Sequence, residues 1–600
     1  MILPGFLVFL LFLSAVPLAG SVCLGRRPER LFAAGLLANG LLFYAACAVN
    51  LCDAGFYAIF AGNLALCVPA ALKLIKDPGA FRRFLTPAVR VFYLFLAAGF
   101  LLALREHLLW WDEFSHWSAA AKLLFARGKL NCALAAQLEH ASYPPGLPVL
   151  DVLVGKCFVG AGFRDFMPRF AIRTAKTCVF LIPFGDAPKR PSFRECAAGM
   201  LIFWLVSSIF FRDGNYTCES DSILGVFFAA AVYVVMRHDR SVRDDLLLAL
   251  LLAWLILVKK AGTGFAAMTL VLYAVRWIAD RKSGAKRPVW SALVVLGAPF
   301  LIQASWSLLL KLHQTPIIFP VGKITPRGIW RLVRYGEPDY GWEIAALFGR
   351  QLLAEAPILA AVAAGLFLYR RRAEDRPRRD GDLCWFLPLA LAVYMASLFL
   401  TYMFIFNSYQ AHKLVSFRRY MHGFLVMPAG VLLMLAFSGS GGGKARRILT
   451  SYPAMALVLA GVAGFYVFEE LCAYRIAKLW IRDKVAIEEK CGGVLRAPGG
   501  RFAVVTDGGG GIYHFIFRYE FGDNFAGETL LPPREPDEPY ICPPAAELAE
   551  KFRPVRHVLF VRPRPGLAQE YAELWETPPE FGSDFTLFEV TPQGKLRPVR

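Results

Sequence analysis

The sequence predicts an α-helical membrane protein that crosses the bilayer about fourteen times and carries a small extracytoplasmic α/β domain at its C-terminal end. Three observations predict it. Apolar residues make up 57% of the 600-residue chain, and many fall in runs that approach the roughly 20 residues a helix needs to cross hydrocarbon. Lys and Arg cluster in short segments between those runs, as cytoplasmic loops do. From Glu469 onward the long apolar runs stop, and short strand-like segments alternate with polar ones.

The same distribution decides what the formal net charge of +20 means. A surface that tracks nucleic acid would carry a continuous basic strip interleaved with exposed aromatics. Here the cations mark topology, so no nucleic-acid partner is expected. The 13 cysteines are scattered, most of them inside apolar runs, and none shows zinc-type spacing. Cys491 and Cys542 lie in the C-terminal region and would be able to pair in an oxidising compartment.

Taken in order, the run Met1–Leu24 reads as a first span rather than a signal peptide. No charged segment precedes it, and Arg26, Arg27 and Arg30 follow. Those arginines place its exit in the cytoplasm, and orientation then follows span by span. A second span (about 31–51) leads outward, and a third returns to Lys73, Lys76, Arg82 and Arg83. A fourth (about 91–104) delivers Trp110-Trp111-Asp112-Glu113-Phe114-Ser115-His116-Trp117 to the outer boundary, where indole rings favour the interface. If this stretch is helical, Asp112 and His116 share a side. Phe114, Trp117, Ala121, Leu124 and Phe125 then form an apolar stripe suited to the membrane surface. A non-spanning stretch continues to about Asp165, and Pro144, Pro145 and Pro148 within it predict a stiff, extended segment.

Further spans follow at about 166–184, 197–211, 222–237 and 246–258, and others continue to about Tyr466. Only Lys259-Lys260 breaks the inside-positive pattern. The domain reading is therefore 1–108 (N-terminal helices), 109–165 (outer loop with the acidic motif and amphipathic helix), 166–468 (transmembrane bundle) and 469–600 (outer α/β domain). In the last, Arg501–Thr506, Ile512–Phe517, His557–Val561 and Phe585–Val590 read as strands and Ala545–Phe552 as a helix. Gly508–Gly511 lacks a following GK[ST] and reads as a turn. Asn215-Tyr216-Thr217 is a glycosylation sequon.

This topology gathers Asp112, Glu113, His116, His140, Tyr143, Glu219, Asp221, Lys259, Lys260, His412, Lys413, Arg418, Arg419 and Tyr420 on the outer side, at span ends far apart in sequence. Ionisable groups beside hydrocarbon are costly, so their accumulation on one side points to function. Carboxylates can deprotonate an acceptor or hold a divalent cation. Lys and Arg at the boundary can hold a lipid-linked phosphate as its charge develops, and aromatic rings can stack on a sugar. The mixture suits group transfer from a membrane-anchored phosphate.

The order of the motifs carries a resemblance. Asp112-Glu113 precedes an amphipathic stretch ending at Ala126-Arg127-Gly128, and Tyr143-Pro144-Pro145-Gly146-Leu147-Pro148 comes next. Glu219-Ser220-Asp221-Ser222-Ile223-Leu224-Gly225, Val258-Lys259-Lys260-Ala261-Gly262 and Ser416-Phe417-Arg418-Arg419-Tyr420 follow. Over about 90–435 this resembles the GT-C superfamily of integral-membrane glycosyltransferases, which includes protein O-mannosyltransferases and aminoarabinose transferases. The resemblance implies transfer of a sugar, with inversion, from a polyprenyl-phosphate donor to a glycan, lipid or protein acceptor. The short loops and Arg/Ala-rich composition suit a multi-pass protein of a bacterial inner membrane, and the charge topology turns its site and C-terminal domain outward. Asp112 corresponds to the catalytic base or acceptor-positioning acid, with Glu113 and His116 beside it and Asp221 as the second acid. Tyr143 and Pro145 correspond to the donor-site loop, and Lys259, Lys260, Arg418, Arg419 and Tyr420 to the donor-phosphate side. A divalent cation (Mg or Mn) on Asp112, Glu113 and Asp221 is left open. The sequence departs from the family in having three spans before the one that delivers the acidic loop and no lysine in the proline loop. The rival readings are a lipid-carrier flippase or transporter, and a non-catalytic membrane protein whose outer domain binds a ligand.

Overall fold

Apolar runs broken by basic turns fold into helices packed side by side. The computed structural model describes residues 2–108, 110–210, 220–237, 241–282, 288–335, 341–372, 377–438, 451–507, 512–531, 543–564, 566–581 and 584–599. Two compact units result, one of Met1–Glu106 with Ala120–Val467 and one of His107–Ala119 with Phe468–Arg600.

The first unit opens with α1 (Ile2–Leu24), α2 (Pro28–Ala48), α3 (Cys52–Lys76), α4 (Ala80–Phe84) and α5 (Pro87–Ala103). Pro28 and Pro87 sit in first turns, where an N–H is spare, and Thr86 Oγ1 accepts from Val89 N at 3.3 Å to cap α5. Then come α6 (Ser118–Arg127, in this unit from Ala120), α7 (Gly146–Gly155), α8 (Phe166–Phe180), α9 (Ile182–Asp186), α10 (Phe193–Phe210), α11 (Ser220–Arg237) and α12 (Val242–Val258). The unit continues with α13 (Ala261–Lys282), α14 (Val289–Leu312), α15 (Pro326–Tyr335), α16 (Gly341–Ala354), α17 (Ala356–Arg372), α18 (Pro377–Phe404), α19 (Ser408–His412) and α20 (Phe417–Phe437). The long α21 (Tyr452–Leu495) contributes its first part to this unit.

Seven described helices are long and apolar enough to cross a membrane: α1, α2, α3, α13, α14, α18 from Asp382, and α20. The pair α16 and α17, bent by 54° at Glu355, makes eight if it counts as one span. The chain is thus a multi-pass integral membrane protein, with fewer full-length spans among the described residues than the fourteen expected. The difference has a physical source. Helix α12 is only 17 residues long, and its Leu251, Leu252, Trp254, Leu255 and Leu257 are fully buried by protein. Hydropathy reports that a run is hidden from water, not whether lipid or neighbouring helices hide it. Helix α8 is the sharper case. Its Arg169, Arg173 and Lys176 are buried inside the protein, and Arg173 meets Glu106 at 2.5 Å.

Two further expectations change here. The proline segment is not extended beyond Pro145, because α7 begins at Gly146 with Pro148 in its first turn, where proline costs no hydrogen bond. The stripe at Phe114, Trp117, Ala121 and Leu124 is buried within the protein rather than laid on a membrane surface.

The second unit is built on a five-stranded sheet in the order β2-β1-β3-β4-β5. Strand β1 (Phe502–Asp507) lies parallel to β2 (Phe525–Leu531) and to β3 (His557–Val561); β4 (Phe585–Val590) and β5 (Leu596–Pro598) continue antiparallel. Strand alternation sends Val505, Val558, Phe560 and Phe588 to one face, against α23 (Ala545–Phe552) and Trp575. Val504, Leu559 and Leu587 go to the other, against Ile487 and Leu495 of α21 and Tyr513 and Phe517 of α22 (Ile512–Phe521). A short α24 (Leu567–Glu570) completes the helices. Ile512–Phe517 is therefore helical, not a strand: Tyr513, Phe517 and Phe521 recur every four residues, a spacing that a helix turns to one side. Strands β2 and β5 escaped the sequence reading because Gly527 and Glu528 interrupt one and the other is three residues long. Asp483, 1% exposed, pins α21 to this sheet. It accepts from Arg562 Nε at 2.8 Å, from the second guanidinium nitrogen at 3.0 Å and from Tyr513 Oη at 2.6 Å.

Candidate active site

Close helix approach sets the geometry in the first unit. A Cβ on Gly225 of α11 would stand 2.5 Å from the Gly423 carbonyl oxygen of α20, so only glycine allows this packing. It brings Asp221, in the first turn of α11, beside the start of α20. Asp221 accepts from Lys259 Nζ at 2.7 Å, and its other oxygen lies 3.3 Å from Arg419 Nε. Lys259 also stands 5.1 Å from the centre of the Tyr420 ring, within cation–π range.

The turn between α12 and α13 is equally constrained. A Cβ on Gly262 would fall 1.7 Å from the Leu255 carbonyl oxygen. Gly262→Ala is therefore expected to shift the Lys259-Lys260 turn and weaken binding of a phosphate ligand by about tenfold or more, measured by titration of the reconstituted protein. An unchanged affinity would show that the turn does not set the site.

Lys260 projects differently from its neighbour. Its ammonium donates to the Ile318 carbonyl at 2.6 Å and to Ser142 Oγ at 3.3 Å, and it stands 5.7 Å from the Tyr143 ring. Ser142 Oγ also accepts from Ile318 N at 3.1 Å, which ties the proline loop to this strand of chain. Tyr143 stacks on His140 at 4.9 Å. Burial disfavours the charged form of Lys260 and lowers its pKa from the usual lysine range to about 8. It is thus charged below that pH and loses its charge above it. Affinity for a phosphate ligand is expected to fall by about fivefold or more between roughly pH 7 and 9.5, with Lys260→Arg flattening the profile because a guanidinium stays charged. A wild-type profile without an inflection near pH 8 would contradict this.

These groups close one end of a cavity of about 720 Å³. Tyr143, Asp221, Lys259, Lys260 and Tyr420 line its polar part, and Ala267, Met268 and Val271 of α13 with Leu389, Val393 and Leu400 of α18 line its apolar part. A long apolar trough ending in ammonium groups fits an amphiphile with an anionic head.

Other expected residues fall elsewhere. Arg418 is 73% exposed and pairs with Glu355 at 3.2 Å. Glu355 also meets His422 Nε2 at 2.9 Å, at the bend between α16 and α17. Pro145 is buried and precedes the first turn of α7. Glu219 and the sequon lie outside the described residues, as do Cys542 and Gly508–Gly511. Sequence reasoning missed Ser142, Glu355 and His422, whose partners are distant in the chain. It also missed Tyr394, whose hydroxyl donates to the Tyr420 carbonyl at 2.8 Å.

The acidic stretch belongs to the second unit. One turn of π-helix (Glu113–Trp117) starts after Asp112. Glu113 is fully buried and accepts from Trp110 N at 3.0 Å, three residues back, as a glutamate in the first turn of a helix does. Asp112 is half-buried and His116 fully buried, with the His116 ring edge-on to Trp117 at 4.6 Å. Of the carboxylate pair, Asp112 is the member with solvent access.

Asp221 and Glu113 are poorly disposed to hold a divalent cation. Both Asp221 oxygens face cations, a Glu113 oxygen is taken by a backbone N–H, and among the described residues no three His, Cys, Asp or Glu come together as ligands.

The chain is similar in structure to ArnT. The crystal structure of ArnT from Cupriavidus metallidurans bound to undecaprenyl phosphate matches at 13% sequence identity and a TM-score of 0.48, over 84% of this chain and 98% of that one. Its apo state matches at 13% identity and a TM-score of 0.48, over 81% and 95%. No protein-family model and no curated protein matches the chain.

Proposed function

We propose that the protein is a membrane glycosyltransferase that moves a sugar from a polyprenyl-phosphate donor to a glycan, lipid or protein on the extracytoplasmic side. The observation that carries this reading is the cavity of about 720 Å³, apolar along α13 and α18 and closed by Lys259 and Lys260. An isoprenoid chain would occupy the apolar part and its phosphate the cationic end. Lys260 has no carboxylate partner among the described residues, only neutral oxygens, so its charge is available to an incoming anion.

In the reaction, an acceptor hydroxyl or amine attacks the anomeric carbon as the bond from that carbon to the phosphate oxygen breaks. The acceptor proton passes to Asp112, and the departing polyprenyl phosphate keeps the electron pair. Lys259 and Lys260 stabilise that growing charge in a water-poor site. No metal takes part in this scheme. The resemblance of the motif order supplies the role of Asp112, and its solvent access agrees with it.

The test is transfer of labelled sugar from a synthetic polyprenyl-phosphate donor by the full chain in nanodiscs, with Lys259→Met/Lys260→Met as control. Transfer by the wild type and loss of donor binding in the double variant support the reading. Movement of the donor across the bilayer without transfer would instead favour a lipid flippase.

A further inference from the structure

Helix α22 of the C-terminal sheet has two apolar faces. Tyr513, Phe517 and Phe521 point to the sheet core. Phe515 and Tyr519, one turn apart, point about half a turn away from them. On a soluble domain that second face would be left to water. Here it is covered by the acidic stretch. The Trp111 ring lies 4.5 Å from Phe515, and the Phe114 ring meets Tyr519 edge-on at 5.6 Å. Lys484 of α21 stands 5.9 Å from the Phe114 ring and so closes the contact from a second helix. Trp111 and Phe114 bracket Asp112 and Glu113 in the chain, so both residues flanking the acids are anchored on rings of the domain. Tyr519 and Phe114 are 5% and 2% exposed, which makes this a packed interface.

From this we infer that the C-terminal domain is a positioning element for the acidic turn, holding Asp112 in its working place through the Trp111–Phe515 and Phe114–Tyr519 contacts. The inference rests on the transferase reading for what Asp112 does, but the clamp itself is measurable without it. Aromatic pairs of this kind give direction as well as burial. A carboxylate that serves as base needs such fixing, because small misplacements are costly in rate. Trp111 and Phe515, in ring contact here, lie far apart in the chain, so the clamp is a long-range tertiary feature.

The experiment uses the full chain in nanodiscs, with Phe515→Ala/Tyr519→Ala as the disrupting variant and Tyr519→Phe as the conservative one. Backbone hydrogen exchange over residues 107–119 reports the clamp, and exchange over β1 and β3 confirms that the sheet stays folded. The double variant is expected to speed exchange of 107–119 by about tenfold or more and to lower kcat by about tenfold or more with donor affinity unchanged. Tyr519→Phe should match the wild type in both. Unchanged exchange in the double variant overturns the clamp, and faster exchange with unchanged kcat overturns the positioning role. If the wild type transfers no sugar, the transferase reading fails while exchange still decides whether the domain holds the turn.

Discussion

Replacing Asp112 by asparagine is expected to slow sugar transfer by about 10²- to 10⁴-fold while donor affinity stays within about twofold. Asparagine keeps the shape of the side chain but cannot accept a proton from the attacking group. Asp112 is the residue just before the π-helical turn and has solvent access, so the substitution leaves the core of the domain intact. The neighbouring carboxylate provides the contrast. Glu113 is fully buried and holds Trp110 N at 3.0 Å, so Glu113→Gln should act mainly on the stability of the turn. Single-turnover kinetics with separately measured donor binding distinguishes the two. Equal rates for Asp112→Asn and the wild type would remove Asp112 from the mechanism.

The second large effect concerns Asp221. Its carboxylate is 6% exposed and lies between Lys259 and Arg419, which are themselves 12% and 26% exposed. Asp221→Ala removes the buried carboxylate that Lys259 and Arg419 share, and breaking a buried pair from one side costs about 3 kcal/mol or more. A fall in melting temperature of several degrees and loss of donor binding are expected together. Adding Lys259→Met should restore much of the stability, because an apolar side chain no longer needs a counter-charge, yet should leave binding poor. Thermal unfolding in detergent and lipid-phosphate titration read the two outcomes separately. If the second substitution restored binding as well, the cluster would be structural and the cationic end of the cavity would lie elsewhere.

Much of the fold could be read along the chain. Basic clusters between apolar runs marked the membrane class, and the change of pattern after Glu469 marked the sheet domain, with β1, β3, β4 and α23 in place. The clustering of the candidate residues was legible in part. Asp221, Lys259, Lys260, Tyr143 and Tyr420 share one cavity, and Arg419 pairs with Asp221. Arg418, one residue earlier on the same helix, turns instead to Glu355, because adjacent helical residues point about 100° apart.

By itself the sequence determined the class of solvent each segment prefers, because hydrophobicity and charge are properties of single side chains. It also determined which residue types could handle an anion or a proton. Only the tertiary structure decided which apolar helices are covered by protein, as α12 is, and which long-range partners meet, as Lys260 meets Ile318 and Trp111 meets Phe515. Burial and pairing are relations between distant parts of the chain, and no local pattern of residues encodes them.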